Sequence, residues 1–194
     1  MHIVNKTLKQ VVAFTILTPE KQEHVQDFLP PLNPGVLPGQ AYTATFSAKA
    51  PSGRASYVVT SVLFGDGTGT GSRVALSHID AIRAGYEVGF ADIAELCERV
   101  LGQADKDFVS AARDALSKIA DSERSIRNPV ARPDVNQTMG RLTAVAYGKE
   151  YFAQVLEAVT ASGVGGGRDR LAARLSQLRP MISALRASRL EPAN

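Results

Sequence analysis

The stretch YVVTSVLFGDGTGTGSRV, at residues 57–74, decides the fold because the spacing of the apolar residues changes within it. Before this junction, apolar residues recur with a period near two between prolines and glycines, as they do in strands. After it they recur every three or four residues, as in amphipathic helices. The sequence therefore predicts an α+β protein with a β domain at residues 1–71 and an α-helical domain at residues 72–194.

The β domain is predicted from four short segments that are rich in β-branched or aromatic residues: residues 2–5, 11–17, 42–47 and 56–64. A helix between the second and third segments is excluded by six closely spaced residues: Pro30, Pro31, Pro34, Gly35, Pro38 and Gly39. We expect a small antiparallel sheet or sandwich, which is thin because few strands are visible. Since the chain opens almost directly on a strand, we also expect an N-terminal partner strand to be missing.

The helical domain is predicted as four amphipathic segments. The first begins at Ser72, which can cap it, and ends near Gly102. The second begins at about Asp105, and the third follows Asp134. The fourth carries one apolar stripe: Leu171, Leu175, Leu178, Ile182 and Leu185. Short connections between such segments favour an antiparallel helical hairpin or bundle.

Three features interrupt the helical pattern. Gly85 and Gly89 lie four residues apart, and each costs roughly 1 kcal/mol relative to Ala, so they predict a bend or a close crossing with another element. The glycines at residues 163–167 predict a break in the chain. Pro180 is expected to kink or interrupt the last segment because it removes a hydrogen bond to Ser176.

Three motifs resemble a group of uncharacterised bacterial proteins: NKTLKQVVAF at residues 5–14, LPGQAY at residues 37–42, and SVLFGDGTGTGS at residues 61–72 before a long helix. Those proteins look like exported immunoglobulin-like or fibronectin-like β-sandwiches, in which a final strand ends in a Phe-x-Asp-Gly-Thr type sequence and runs into helices. The resemblance implies such a sandwich and an extracytoplasmic location. It implies no activity, and this chain shows no signal segment.

The amino-acid composition limits the classes of protein to which this chain can belong. With 44% hydrophobic and 21% charged residues the chain is an ordinary globular protein, and it has no apolar run of the about eighteen residues that suggest a membrane span. Cys97 is the only cysteine, so an intrachain disulfide and a cysteine-based zinc site are both excluded. Its place on one helical face with Ile93 and Val100 predicts a buried core residue rather than a reactive thiol.

The glycine-rich loop offers backbone N–H groups ahead of a helix, an arrangement that binds phosphates. A Walker loop needs Lys before Ser or Thr, and a dinucleotide loop needs a second strand after the helix, and the sequence has neither. We expect a structural turn in which glycines supply positive φ and a carboxylate bonds to its own turn. The alternatives are a cation site or an anion site, whose candidate residues are Asp66, Gly67, Thr68, Gly69, Ser72 and Arg73.

The three histidines, His2, His24 and His78, lack metal-binding spacing. His78 and Asp80 lie two residues apart on a helix and point to different faces, so this pair alone does not form a catalytic relay. No Gly-x-Ser-x-Gly elbow surrounds Ser61. We therefore predict no catalytic residues, no metal site and no cofactor.

The last segment is rich in arginine and follows a more acidic middle of the chain. Through Arg168, Arg170 and Arg174 it could bind a polyanion such as nucleic acid or an anionic membrane surface. It lacks aromatic residues for base stacking, so the nucleic-acid signal is weak, and its leucine stripe favours docking on the helical bundle instead.

The sequence therefore favours a non-catalytic structural or protein-interaction module whose partner is another protein, with a homo-oligomer also open. One alternative is an anionic small-molecule binding protein or enzyme that uses the loop at residues 65–72. A second alternative is binding of a polyanion or a membrane surface through the arginine-rich C-terminal helix.

Overall fold

The computed structural model describes residues 1–29, 33, 35–45, 57–129 and 134–190. Within them lie six strands and three helical spans: β1 (His2–Val4), β2 (Val11–Leu17), β3 (Glu23–Asp27), β4 (Ala41–Thr43), β5 (Val58–Phe64), β6 (Gly69–Gly71), α1 (Arg73–Leu101), α2 (Asp105–Arg127) and α3 (Val135–Ala187). The α+β class, with two small antiparallel sheets followed by a long helical region, is confirmed. The predictions for Pro30, Pro31, Pro34 and residues 46, 47 and 56 lie outside the described residues.

The chain divides into two compact units. The first contains Met1–Asp80 and Ala184–Asn194, and the second contains Ala81–Ser183. The predicted boundary between residues 71 and 72 coincides with the end of β6 and the start of α1. As a domain boundary it stays a prediction.

Two antiparallel sheets form the β part of the first unit. The larger has the strand order β3-β2-β5-β6, and the smaller pairs β1 with β4. In the larger sheet β2 and β5 pair from Val11 opposite Phe64 to Leu17 opposite Val58, with register shifts between Val11 and Ala13 and between Thr15 and Ile16. These two central strands are the ones that the sequence marks most clearly, because each is a run of β-branched and apolar residues.

Both faces of β2 are covered within the first unit, which explains why six of its seven residues are buried. Phe14 and Ile16 belong to a core cluster that includes Ala44, with Ile3 and Tyr42 of the smaller sheet packed against it. The opposite face is covered by a second cluster, formed by Val12, Ala13, Leu63, Leu76 and Ile79, against which Val25 and Leu190 pack. Apolar side chains from the first turns of α1 and from the C-terminal segment thus pack on the larger sheet.

β3 and β6 were not predicted, because neither carries the apolar alternation of a strand. β3 (EHVQD) contains only one apolar residue, Val25, and β6 is Gly-Thr-Gly. β3 follows a tight turn in which Thr18 N donates to Gln22 O and Lys21 has a positive φ of 61°. The sequence TPEKQ after a strong strand is a turn signal that could have indicated a hairpin there.

The helical spans follow the predicted segments closely. Ser72 caps α1, since its Oγ accepts a hydrogen bond from Ala75 N at 3.3 Å. The predicted third and fourth segments are the two helical parts of α3, which meet at Gly163, the residue of α3 with non-helical dihedral angles (φ 73°, ψ −176°). The predicted break within residues 163–167 is confirmed at Gly163, where a positive φ suits glycine. Pro180 lies inside α3 and does not interrupt it, so the predicted interruption there was wrong, and a kink at Pro180 stays a prediction.

In the second unit, α1 and α3 cross with their backbones in close contact. A Cβ atom on Gly85 would lie 2.9 Å from Arg141 N and would also strike Gln137 O. From the other side, a Cβ on Gly140 would lie 2.8 Å from Tyr86 N. Of the two predictions for Gly85, the close crossing is the one that the structure confirms.

Candidate functional site

The glycine-rich stretch forms the tight turn that joins β5 to β6. Phe64 N donates a hydrogen bond to Thr68 O at 2.9 Å, and Gly67 N donates to Phe64 O at 3.1 Å. Gly67 has a φ of 81°, which an L side chain would disfavour. The loop is therefore a β-hairpin whose second strand, β6, lies between the turn and the helix.

Asp66 is held by hydrogen bonds within its own turn and by an ion pair with Lys9. The sequence analysis anticipated the turn but not the ion pair. Its Oδ1 accepts hydrogen bonds from Thr68 N at 3.0 Å and Thr68 Oγ1 at 2.6 Å, and its Oδ2 lies 2.7 Å from Lys9 Nζ. Lys9 Nζ also donates to Thr68 Oγ1 at 2.9 Å. The hydrogen bond from Lys9, followed by those from Thr68, holds the pKa of the Asp66 carboxyl well below its usual value. The carboxylate is therefore ionised and already neutralised by a lysine.

The glycines of the hairpin are in close contact with the rest of the first unit. A Cβ on Gly67 would lie 2.6 Å from Arg189 O, and one on Gly69 would lie 2.8 Å from the side chain of Leu76. Several loop N–H groups also donate within the chain, including Gly65 N to Gln10 O at 3.0 Å. The backbone groups that a phosphate would use are thus largely engaged by the protein.

Ser72 and Arg73 complete the predicted loop site at the start of α1. Ser72 N donates to Thr60 O at 3.0 Å, and its hydroxyl caps the helix. Arg73 is exposed in the first turn. Among the predicted residues the structure brings Asp66 and Thr68 into direct contact, while Ser72 serves the helix terminus.

Arg168 binds the connection between α1 and α2. Its Nη1 donates to Leu101 O at 2.8 Å, its Nε donates to Asp105 Oδ1 at 2.9 Å, and Nη2 donates to Gln103 O. The guanidinium lies 4.9 Å from the ring centre of Phe108. Arg168 therefore satisfies the carbonyl of Leu101 at the C-terminus of α1, which is unpaired within the helix itself, and that of Gln103 in the connection.

Arg170 and Arg174 also have partners within the second unit. Both donate to Gln154 Oε1, at 3.2 Å and 2.9 Å. Arg174 further lies 4.6 Å from the ring centre of Tyr151. The three arginines predicted to bind a polyanion are thus engaged inside the chain, as expected if the last segment docks on other helices.

An apolar cavity of about 250 Å³ lies beside β1 and was not predicted. Its lining includes Ile3 and Val4 of β1 and Val59, Val62 and Phe64 of β5. Val4 is 46% exposed. The cavity is formed by strands of two different sheets. The linear sequence does not indicate which strands of the two sheets lie next to each other, so the cavity could not be predicted.

The backbone of β1 is paired on one edge only among the described residues. Met1 and Ala44 exchange two hydrogen bonds, and Asn5 N donates to Gln40 O at 2.9 Å. Since bonded positions alternate in an antiparallel ladder, the N–H and C=O groups of His2 and Val4 point away from β4. β1 therefore has an open edge, and two of its residues, Ile3 and Val4, line the apolar cavity.

Elsewhere in the described parts, reactive groups do not cluster. No group of three or more His, Cys, Asp or Glu residues there could hold a metal ion. Cys97 is fully buried, as predicted, and burial raises the pKa of its thiol to about 12.

His78 and Asp80 contact different residues. The Nδ1 atom of His78 lies 3.6 Å from Glu23 Oε2, whereas the carboxylate of Asp80 binds Arg189. No described helix combines the length and the apolar character needed to cross a membrane.

Comparisons with protein-family models, curated proteins and solved structures gave no match to this chain. The candidate sites therefore rest on residues and geometry alone.

Proposed function

We propose that this chain is a non-catalytic protein-interaction module, in which an immunoglobulin-like β-sandwich is joined to an antiparallel helical bundle. The shared core of the two sheets supports the first part, because Phe14 of the larger sheet packs on Tyr42 of the smaller one with ring centres 5.8 Å apart. An extracytoplasmic location, as in the exported proteins that the sequence resembles, belongs to the same proposal.

The open edge of β1 is the observation that carries the interaction function. An edge strand with free N–H and C=O groups pairs readily with an extended segment of another chain. His2 and Val4 supply those groups, and Val4 also lines the apolar cavity. Both the backbone and the side chains of a docked strand would therefore find partners.

The partner we propose is an extended segment of another protein with alternating apolar side chains. Because successive side chains of a strand point to opposite faces, every second residue would enter the cavity against Val59, Val62 and Phe64. Small β-branched residues fit best, since the cavity of about 250 Å³ is divided among two or three of them. The added strand would make the smaller sheet three-stranded.

A soluble probe peptide, KVTVTVK, tests this proposal by NMR titration of the backbone amides. We expect the His2 and Val4 amides to shift and to gain protection from hydrogen exchange. The Ile3 amide faces β4 and should change little.

Val4→Pro removes one outward N–H and is compatible with an edge strand. It should weaken peptide binding by about tenfold, the equivalent of one hydrogen bond. Val135→Thr, at a 75% exposed residue of α3, is the matched control and should bind normally. Binding that leaves the His2 and Val4 amides unchanged, equal affinity in Val4→Pro, or no binding at all would each overturn strand addition.

A further inference from the structure

A cavity of about 360 Å³ lies between the end of α2 and the start of α3, within the second unit. It is lined by hydroxyl and amide side chains from both helices, Ser122, Ser125, Gln137 and Thr138, together with Arg141. Its volume falls in the range of ordinary small-molecule sites. We propose that this cavity binds a small molecule through an oxyanion group, carboxylate or phosphate, with Arg141 as the anchor.

Among the described residues that line the cavity, Arg141 is the only charged one. Its Nε atom is buried and has no hydrogen-bond partner within the described parts of the chain. The contrast with Arg168 and Arg174 is clear, because each of those guanidinium groups is held by carbonyl or carboxamide oxygens. A buried N–H without an acceptor is costly, so Arg141, a lining residue of the cavity, has hydrogen-bonding capacity that the described residues do not use.

The neighbouring carboxylates already have other partners. Glu123, next to Ser122 in α2, forms ion pairs with Lys149 and Arg127. Asp134 caps α3, since its Oδ1 accepts hydrogen bonds from Asn136 N at 2.8 Å and Gln137 N at 2.9 Å. The positive charge of Arg141 therefore remains available to an external anion.

The ligand class follows from the chemistry of the lining. A guanidinium presents parallel N–H donors that fit two oxygens of a carboxylate or phosphate. Ser122 and Ser125 add hydroxyl groups, while Ile126 and Pro129 provide an apolar wall for a carbon skeleton. We therefore expect a ligand with one oxyanion and a compact apolar part.

The anchor sits on a rigid support. The backbone of Arg141 lies against Gly85 at the close crossing of α1 and α3, where a Cβ would come within 2.9 Å of Arg141 N. A side chain carried by a tightly packed helix is held more precisely than one on a loop, and such positioning favours binding of a small anion.

Three probes test the site at low ionic strength: inorganic phosphate, phenyl phosphate and benzoate. Binding is followed by the NMR signal of the Arg141 Nε–H group and by calorimetry. We expect the signal to shift downfield with at least one of the ring-bearing probes, and comparison of phenyl phosphate with benzoate identifies which oxyanion is preferred. Inorganic phosphate should bind more weakly because it cannot contact Ile126 and Pro129.

Arg141→Gln should weaken binding at least tenfold, whereas Arg113→Gln, at an exposed arginine of α2, should leave it within twofold. Ser125→Ala provides a second variant that preserves the charge and should weaken binding about threefold. Absence of binding by all three probes, or equal affinity in folded Arg141→Gln, would overturn the proposal. If Arg141→Gln does not fold, two other results would overturn the proposal. One is an Arg141 Nε–H signal of the parent protein that does not shift with any probe, and the other is unchanged affinity in Ser125→Ala.

Discussion

Arg189 binds the carboxylate of Asp80 with two parallel hydrogen bonds, Nε to Oδ1 at 2.7 Å and Nη2 to Oδ2 at 2.8 Å. The backbone N–H of Leu190 donates to the same Oδ1 at 3.1 Å. This arrangement attaches the C-terminal segment to the first turns of α1 and keeps Leu190 against the larger sheet.

We expect Asp80→Asn to lower the free energy of unfolding by about 1 kcal/mol, because the pair is partly exposed but bidentate. Arg189→Lys should have a similar effect, since a lysine cannot reproduce the two parallel bonds. Urea unfolding followed by circular dichroism measures both. Asp114→Asn, at an exposed residue of α2, is the control, and a loss equal to that of Asp80→Asn would show that the bidentate contact does not contribute.

Gly85→Ala should destabilise the protein by about 2–4 kcal/mol, because the new methyl group strikes the backbone of α3 at Gln137 and Arg141. Thermal unfolding measures the loss. Gly165→Ala is the matched control: it also lies in a helical span, but a Cβ there has nothing within 4 Å. It should stabilise the protein by about 0.5–1 kcal/mol. Equal effects at the two positions would contradict the close crossing.

The Lys9–Asp66 pair predicts a pH-dependent contribution to stability. Since the folded-state pKa of Asp66 lies well below its ordinary value of about 3.9, the contribution is present above that value and is lost as the pH falls below it. Asp66→Asn should therefore be less stable than the parent at pH 7, and the difference should shrink below about pH 4. Urea titrations at pH 7, 4 and 2.5 measure it. A difference that stayed constant with pH would exclude the ion pair as its cause.

The elements that could be predicted from the sequence are those whose apolar pattern is local. β2 matches its predicted span because Val11–Leu17 is an almost unbroken apolar run, and α1 ends beside Gly102 as expected for a glycine stop. β3 and β6 could not be predicted because their stability comes from pairing with β2 and β5, which is a tertiary property.

The candidate sites also combine features that are local in the sequence with features that depend on the tertiary fold. Glycine spacing identified the turn at Asp66, but its partner Lys9 comes from a different part of the sequence, before β2. Arg141 resembles every other arginine of the chain until the fold places it at the wall of a cavity and leaves its Nε without an acceptor among the described residues. Such features depend on distances between helices that periodicity does not encode.

The two-sided burial of β2 has a consequence for synthesis of the chain. One of its covers, Leu190, is translated only after all of Ala81–Ser183, so the ribosome releases a strongly apolar strand long before that cover exists. Leu76 and Ile79 already cover part of that face, but the surface that awaits Leu190 is apolar, and exposed apolar surface promotes aggregation. A nascent chain stalled within α3 would therefore differ from one that has passed Leu190 in the surface that it offers to cellular quality control.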